Sequence, residues 1–188
     1  VEVYELNAEM GKAVKVLLPI SRRIHVVFES TKKQCKIWGK SFVHKCIKSA
    51  YPLRFTLADK QRSRQELITH FNATVLGIGS IPFAIDRATL FVTGGSQGST
   101  FLNDLVKSYF EHRKHRMHNT QVIHQLGRNE DKAAWRRFYN RHHIPNVVFE
   151  YMHDLASLYQ LADLVLCRAG AGTLFELLFF GTNAIVIP

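Results

Sequence analysis

The chain has 188 residues, 46% of them hydrophobic and 21% charged, which is enough to bury a core and unlike a disordered or fibrous composition. The net charge of +10 is uneven: residues 1–58 carry eleven Lys or Arg against four acids and residues 95–145 nine against four, whereas residues 146–188 carry one against four. A basic field attracts phosphorylated ligands, anionic lipid and nucleic acid alike, and no run of eighteen apolar residues could cross a bilayer as a helix, so a membrane would be met from its surface.

In chain order, Val1 to Leu6 is short and β-prone, Ala8 to Leu18 reads as a helix in spite of Gly11, and Ile24 to Phe28 as a short buried strand. Lys32 to Gly39 is a polar helical or irregular connection, and Ser49 to Arg54 has a connector's composition, with Pro52 biasing Tyr51 away from helix. Residues 59–71 form a short amphipathic helix, and 77–82 a loop. From Ala88 the rhythm becomes regular. Strands are expected at Thr89 to Thr93, Thr120 to His124, Asn146 to Phe149, Asp163 to Cys167 and Asn183 to Ile187. Helices are expected at Phe101 to Phe110, Asp131 to Arg141, Asp154 to Gln160 and Gly172 to Phe180, the first with Leu102, Leu105, Val106 and Tyr109 as one apolar stripe. Short strands separated by helix-length segments are the pattern of parallel βαβ units, which place ligand loops at the carboxyl ends of their strands. Val1 opens inside an apolar alternation without an initiator Met, and Pro188 follows directly on a strand, so the chain reads as a piece of a longer one. Cys35, Cys46 and Cys167 form no CxxC pair, and their odd number reads against a disulfide framework and for a reducing cytosol.

Two segments carry chemistry. In Thr93-Gly94-Gly95-Ser96-Gln97-Gly98, glycines permit a tight turn and close ligand approach, while the following helix directs its free N–H groups back at the turn. Ser96 adds a hydroxyl donor. The segment is neither a GxGxxG fingerprint nor a Walker A loop, so an ordinary strand-to-helix turn stands beside the phosphate loop as a reading. In the second, Cys167-Arg168-Ala169-Gly170-Ala171-Gly172-Thr173-Leu174-Phe175-Glu176, Arg168 can donate to a carbonyl or phosphate. Glu176 can accept from two neighbouring hydroxyls, or be a helix-surface acid. His112, His115 and His118, among Arg113, Lys114 and Arg116, read as a solvated basic face rather than a metal site. Trp135, Phe138 and Tyr139 with Arg136, Arg137 and Arg141 read as helix packing rather than an RNA platform.

Thr93 to Gly98 followed by Leu102-Asn103, and Ala162-Asp163 followed by Cys167-Arg168 through Glu176, resemble the MurG family of bacterial peptidoglycan N-acetylglucosaminyltransferases in glycosyltransferase family 28. Glu5, Asn7 and Gly11, and Pro52-Leu53-Arg54, are weaker matches in the same order. The resemblance implies an α/β chain with a partial GT-B fold: Rossmann-like parallel-sheet units with flanking helices. It implies residues 1–57 as the end of an acceptor-side N-terminal domain with its crossover, 58–87 as a linker region, and 88–188 as the first part of a UDP-sugar-binding C-terminal domain.

The implied activity is inverting transfer of GlcNAc from UDP-GlcNAc to undecaprenyl-diphospho-muramoylpentapeptide, giving lipid II for the cell wall, peripherally at the cytoplasmic face of the inner membrane. It needs no cofactor or catalytic metal. The donor contacts it implies are Asn7 on sugar hydroxyls, Arg54 near the cleft, Ser96 with Gly94, Gly95, Gln97 and Gly98 on the diphosphate, the main chain at Met152 on the uracil edge, Arg168 near the base and Glu176 on the ribose. No catalytic residue is identified, and the fragment alone is expected to be inactive. The sequence departs from the family at Tyr4 and Leu6, where His and Gln are usual, at Ala169, where Ser is common, and at Gly172 and Phe175. A non-enzymatic sugar-nucleotide or nucleic-acid binding module, or another GT-B transferase, are the competing readings.

Overall fold

The computed structural model describes residues 1–76, 80–95, 97–112 and 119–188, in two compact units, Val1–Arg54 and Phe55–Pro188. In the first unit, β1 (Glu2–Glu5), α1 (Lys12–Leu17), β2 (Arg23–Val26) and α2 (Glu29–Lys32) lead to a small hairpin of β3 (Lys36–Ile37) and β4 (Lys40–Ser41). A 3-10 turn at Val43–Lys45 then enters β5 (Cys46–Lys48). β1, β2 and β5 form a parallel sheet in that order. Its core is Met10, Leu18, Ile24, Val26 and Cys35.

The first helix starts at Lys12, later than the expected Ala8, because the buried Glu5 carboxylate captures the preceding amides. It accepts from Asn7 N at 3.0 Å, Asn7 Nδ2 at 3.2 Å and Gly11 N at 2.7 Å. A buried carboxylate must be paired with donors, and here the donors shape the turn between β1 and α1.

In the second unit, a 3-10 turn at Leu57–Lys60 precedes α3 (Arg64–Thr74), β6 (Ala88–Thr93), α4 (Thr100–His112), β7 (Thr120–Gln125) and α5 (Lys132–Arg141). β8 (Asn146–Phe149), α6 (Leu155–Leu161), β9 (Leu164–Arg168), α7 (Ala171–Phe180) and β10 (Ala184–Ile187) follow. All five strands are parallel, in the order β10-β9-β6-β7-β8. The chain therefore builds outward from β6 in one direction and then returns to β6's other side with β9. Both faces are apolar, as a covered parallel sheet requires. Phe91, Ile123, Val147 and Val165 pack on one face with Leu67, Phe71, Leu158 and Leu177 from α3, α6 and α7. Their strand neighbours Val92, Val122, Val148 and Leu166 pack on the other with Leu102, Val106, Phe110, Trp135 and Tyr139 from α4 and α5.

Local chemistry sets the helix ends. Ser63 and Glu66 form a reciprocal capping box at α3, Asp131 accepts from Ala133 N and Ala134 N at α5, and Asp154 accepts from Ser157 N at α6. Gly181, at φ 70°, closes α7. On α4 the residues facing the sheet are Leu102, Val106 and Phe110, spaced four apart. Leu105 and Tyr109, expected in that stripe, are 39% and 49% exposed on its flank, where with Leu90, Leu164 and Ile185 they line a cavity of about 440 Å³.

In the region 58–87, expected as a linker, Leu67, Ile68, Phe71 and Phe83 enter the second unit's core. Asn72 and Phe83 exchange hydrogen bonds of 2.9 Å in both directions. Arg64 fastens α3 to the amino ends of β6 and β9, donating to Arg87 O at 2.7 Å, Leu161 O at 3.1 Å, Thr89 Oγ1 at 3.2 Å and Asp163 Oδ2 at 3.0 Å. Part of the expected 77–82 loop, residues 77–79, lies outside the described residues.

Candidate functional site

The direction of chain growth reverses between β6 and β9, and in open parallel sheets the crevice outside such a reversal is where ligands bind. Thr93 pairs with Cys167 in the parallel register. The next residues, Gly94 and Arg168, open the two segments singled out above, so the sheet brings together at one edge motifs that lie over seventy positions apart.

The first turn is shaped by close backbone approach. A Cβ at Gly94 would overlap Ser99 N and the Gly98 carbonyl carbon, and one at Gly98 would overlap Gly127 Cα and N. Gly95 and Gly98 also have φ of 80° and 74°, which favours glycine. Thr93 hydroxyl donates to Gln125 Oε1 at 2.6 Å and accepts from Gly95 N at 3.2 Å, tying the start of the turn to β7. Gln97 is exposed. Ser96, assigned to the diphosphate by resemblance, lies outside the described residues, as do His115, His118, Arg113, Lys114 and Arg116.

On the other side of the reversal, Arg168 is the exposed last residue of β9. Gly170 begins α7 without a side-chain cap, unlike Ser63, Asp131 and Asp154, so the first amides of this helix face the crevice uncapped by any side chain. Glu176, one and a half turns along α7, is half-buried and accepts the Tyr159 hydroxyl of α6 at 2.8 Å. That contact directs a carboxylate that a plain helix-surface acid would leave to swing in water.

Met152 follows β8 and packs partly buried on the core under α6 and α7. It stands two strands from β6, at the entry to the helix that carries Tyr159. In the first unit, Asn7 is exposed beyond β1, held through its backbone and side chain by Glu5, and Arg54 is the exposed final residue of that unit. Arg168, Glu176 and the glycine turn are thus brought to one sheet edge. Met152 lies at the carboxyl end of a more distant strand, and Asn7 and Arg54 belong to the other unit.

Three features escaped the sequence reading. Gly127 gives Gly98 its backbone contact, and its only local signal is a glycine just past a strand. Tyr159 is an unremarked aromatic on α6. The third is a buried polar chain behind the glycine turn: Tyr139 hydroxyl donates to His124 Nδ1 at 2.8 Å, and His124 Nε2 donates to Asn103 Oδ1 at 3.0 Å. Asn103 Nδ2 donates to Glu130 Oε1 at 2.9 Å, and Trp135 Nε1 to Glu130 Oε2 at 3.0 Å. The Asn103 amide, oriented by Glu130, fixes the tautomer, and burial lowers the His124 pKa to about 3, so this ring is neutral. A second cavity of about 550 Å³, lined by Gln97, Gly98, Asn103, Gly127, Arg128 and Glu130, opens on the β7 side of the glycine turn, away from Arg168 and Glu176. Among the described residues no group of three or more His, Cys, Asp or Glu side chains is placed to hold a metal ion.

Strand order, the reversal between β6 and β9, and the glycine-bearing turns that flank it define the second unit as a doubly wound α/β unit of the Rossmann type. Residues 89–188 match the glycosyltransferase family 28 C-terminal domain, and the chain belongs to that family. It is similar to a UDP-N-acetylglucosamine--N-acetylmuramyl-(pentapeptide) pyrophosphoryl-undecaprenol N-acetylglucosamine transferase of Pseudomonas fluorescens, with 31% identity over 99% of this chain and 45% of the relative. The like-named transferase of Corynebacterium glutamicum is 36% identical over 55% of this chain and 26% of that one. Among solved structures, Acinetobacter baumannii MurG shares the fold with a TM-score of 0.60 at 20% identity, over 100% of this chain and 45% of that chain. The chain thus spans about half the length of the relatives it matches. No helix among the described residues is long and apolar enough to cross a membrane.

Proposed function

We propose that the chain is part of an inverting transferase that moves GlcNAc from UDP-GlcNAc to undecaprenyl-diphospho-muramoylpentapeptide, and that the crevice between β6 and β9 holds the UDP moiety. The observation that carries this reading is the convergence of the glycine turn, Arg168 and the Tyr159-directed Glu176 at one strand reversal. Main-chain N–H groups of the turn and of the α7 start are suited to a diphosphate, and a carboxylate to vicinal ribose hydroxyls. In this reading Ser96, Gly94, Gly95, Gln97 and Gly98 meet the diphosphate, the main chain at Met152 and the Arg168 side chain meet the base, and Glu176 meets the ribose. For Asn7 and Arg54, which belong to the first unit, the donor-contact role rests on the family resemblance alone.

Residues 1–57 then end an acceptor-side domain, and 88–188 begin the donor domain. In transfer, an acceptor hydroxyl displaces UDP at the anomeric carbon, and the amides that bind the diphosphate stabilise the charge growing on the leaving group. The base that takes the hydroxyl proton is not assigned to any residue of this chain, and the 188-residue chain alone is expected to be inactive in transfer. The lipid-linked acceptor would be met at the cytoplasmic membrane surface, where the basic charge of residues 1–58 favours anionic headgroups.

Calorimetry of the full-length protein with UDP-GlcNAc and UDP-glucose tests the donor assignment. Tighter binding of UDP-GlcNAc, weakened by Glu176→Ala, is expected. Equal binding of both sugars, or binding of neither, would sink it. Salt-sensitive RNA binding indifferent to Glu176→Ala would favour a nucleic-acid module instead.

A further inference from the structure

In the first unit, Cys35 and Cys46 stand at the two ends of the hairpin segment, and their Sγ atoms are 2.9 Å apart. Cys35 is fully buried among Met10, Leu18, Ile24 and Val26, while Cys46 is partly exposed at the start of β5, paired with Ile24 of β2. Closing a bond from this separation needs an approach of only about 0.9 Å. Cys167, the third cysteine, is buried in the other unit.

The residues just before Cys35 hold the turn that carries Asn7. Thr31 hydroxyl donates to Asn7 O at 3.0 Å and to Ala8 O at 3.1 Å. Gln34 accepts from Met10 N at 2.9 Å and donates to Ala8 O at 2.8 Å. Residues 31–34 are thus a clamp on residues 7–10, and Cys35 is the next residue along.

We propose that Cys35 and Cys46 are a reversible disulfide site, and that its closure fixes the Thr31–Gln34 clamp on the Asn7 turn. The oxidant is a small-molecule disulfide. Cys46, the reachable thiol, attacks as thiolate and forms a mixed disulfide, releasing one thiol. Cys35 then gives up its proton and attacks Cys46 Sγ, expelling the second thiol. Two protein S–H bonds and one S–S bond are exchanged for one protein S–S bond and two small thiols. Burial, and after it the adjacent Cys46, push the Cys35 thiol up to about 12, which disfavours its thiolate and, with its lack of exposure, makes Cys46 the point of entry. Any effect on sugar contact by Asn7 rests on the proposed function, whereas the site itself does not.

The 188-residue chain, treated with oxidised glutathione and digested without reduction, tests this. Trypsin sites at Lys36, Lys40 and Lys45 separate the two cysteines, so the bond would appear as a Cys35–Cys46 linked peptide, with an intact mass lower by two hydrogens and Cys167 still free. Cys35→Ala should instead retain one glutathione on Cys46. A wild-type chain that accumulates glutathione on Cys46 without closing, or that does not react, would overturn the proposal. In the closed form, amide exchange at residues 7–11 should slow by about tenfold and recover on reduction. A closed disulfide with unchanged exchange there would overturn the clamp.

Discussion

Thr93 and Cys167 sit opposite each other in the parallel register of β6 and β9, and the chain continues from each into a small-residue turn at the same sheet edge. This pairing makes one crevice of two remote motifs, and it orders what mutation should do there.

The Tyr159 to Glu176 hydrogen bond lies on the side of that crevice proposed to take the ribose. Tyr159→Phe removes one hydroxyl to a carboxylate, an interaction of about 1–2 kcal/mol, so UDP affinity should fall by roughly tenfold with the unit still folded. Glu176→Ala should cost at least as much. Titration calorimetry with UDP checks both, and unchanged affinity in the two variants would remove Glu176 from the site.

Gly95 and Gly98 both have positive φ, but only Gly98 has a neighbour that leaves no room for a side chain. Gly95→Ala should therefore cost about 1 kcal/mol, the strain of the left-handed backbone. Gly98→Ala must also push Gly127 backbone away and should cost about 3 kcal/mol or more, with loss of the turn's geometry. Urea unfolding of the two variants compares them directly. Equal losses would contradict the close approach of the two glycines.

His124 gives the unit an acid sensitivity with a defined sign. Unfolded, the ring binds a proton below about 6.5, and folded, only below about 3, so the unfolded state gains protons first as pH falls. The stability associated with the neutral ring is complete above pH 6.5, declines between 6.5 and 3, and by pH 5 is reduced by about 2 kcal/mol. His124→Gln should be less stable at pH 7.5, yet show a shallower decline from pH 6.5 to 5. Parallel pH profiles for the two proteins would show that the ring is not buried neutral.

Arg64 donates to the backbone oxygens of Ile85, Arg87 and Leu161, to Thr89 Oγ1 and to the Asp163 carboxylate at the amino ends of β6 and β9. Arg64→Ala removes these bonds, leaving Asp163 Oδ2 only Thr89 N and Thr89 Oγ1 only Gln121 Nε2 as donors, and should destabilise the second unit by about 2–3 kcal/mol. Arg64→Lys should recover little, because an ammonium cannot present the same fork of donors. Denaturant midpoints at matched m-values provide the check.

The second unit was legible because short apolar strands alternate with helix-length segments through residues 88–188. β5 was not, since Cys46–Lys48 is three residues long and bears no apolar run. Leu105 and Tyr109 fit a helical stripe by spacing alone, but the sheet meets α4 along Leu102, Val106 and Phe110. The late start of α1 was hidden because Glu5, a residue of the preceding strand, takes the amides that would have begun it. For the site, sequence supplied the glycine turn, Arg168 and Glu176. It did not supply their shared edge, which needs strand order, nor Gly127 and Tyr159, whose partners are 29 and 17 positions away.

Hydrogen exchange of the 188-residue chain with and without saturating UDP tests the central claim most directly, because the glycine turn has two sides. Nucleotide between β6 and β9 should protect residues 94–98 and 168–176 together while leaving 127–130, around the β7-side cavity, unchanged. Protection of 127–130 with no change at 168–176 would contradict the account.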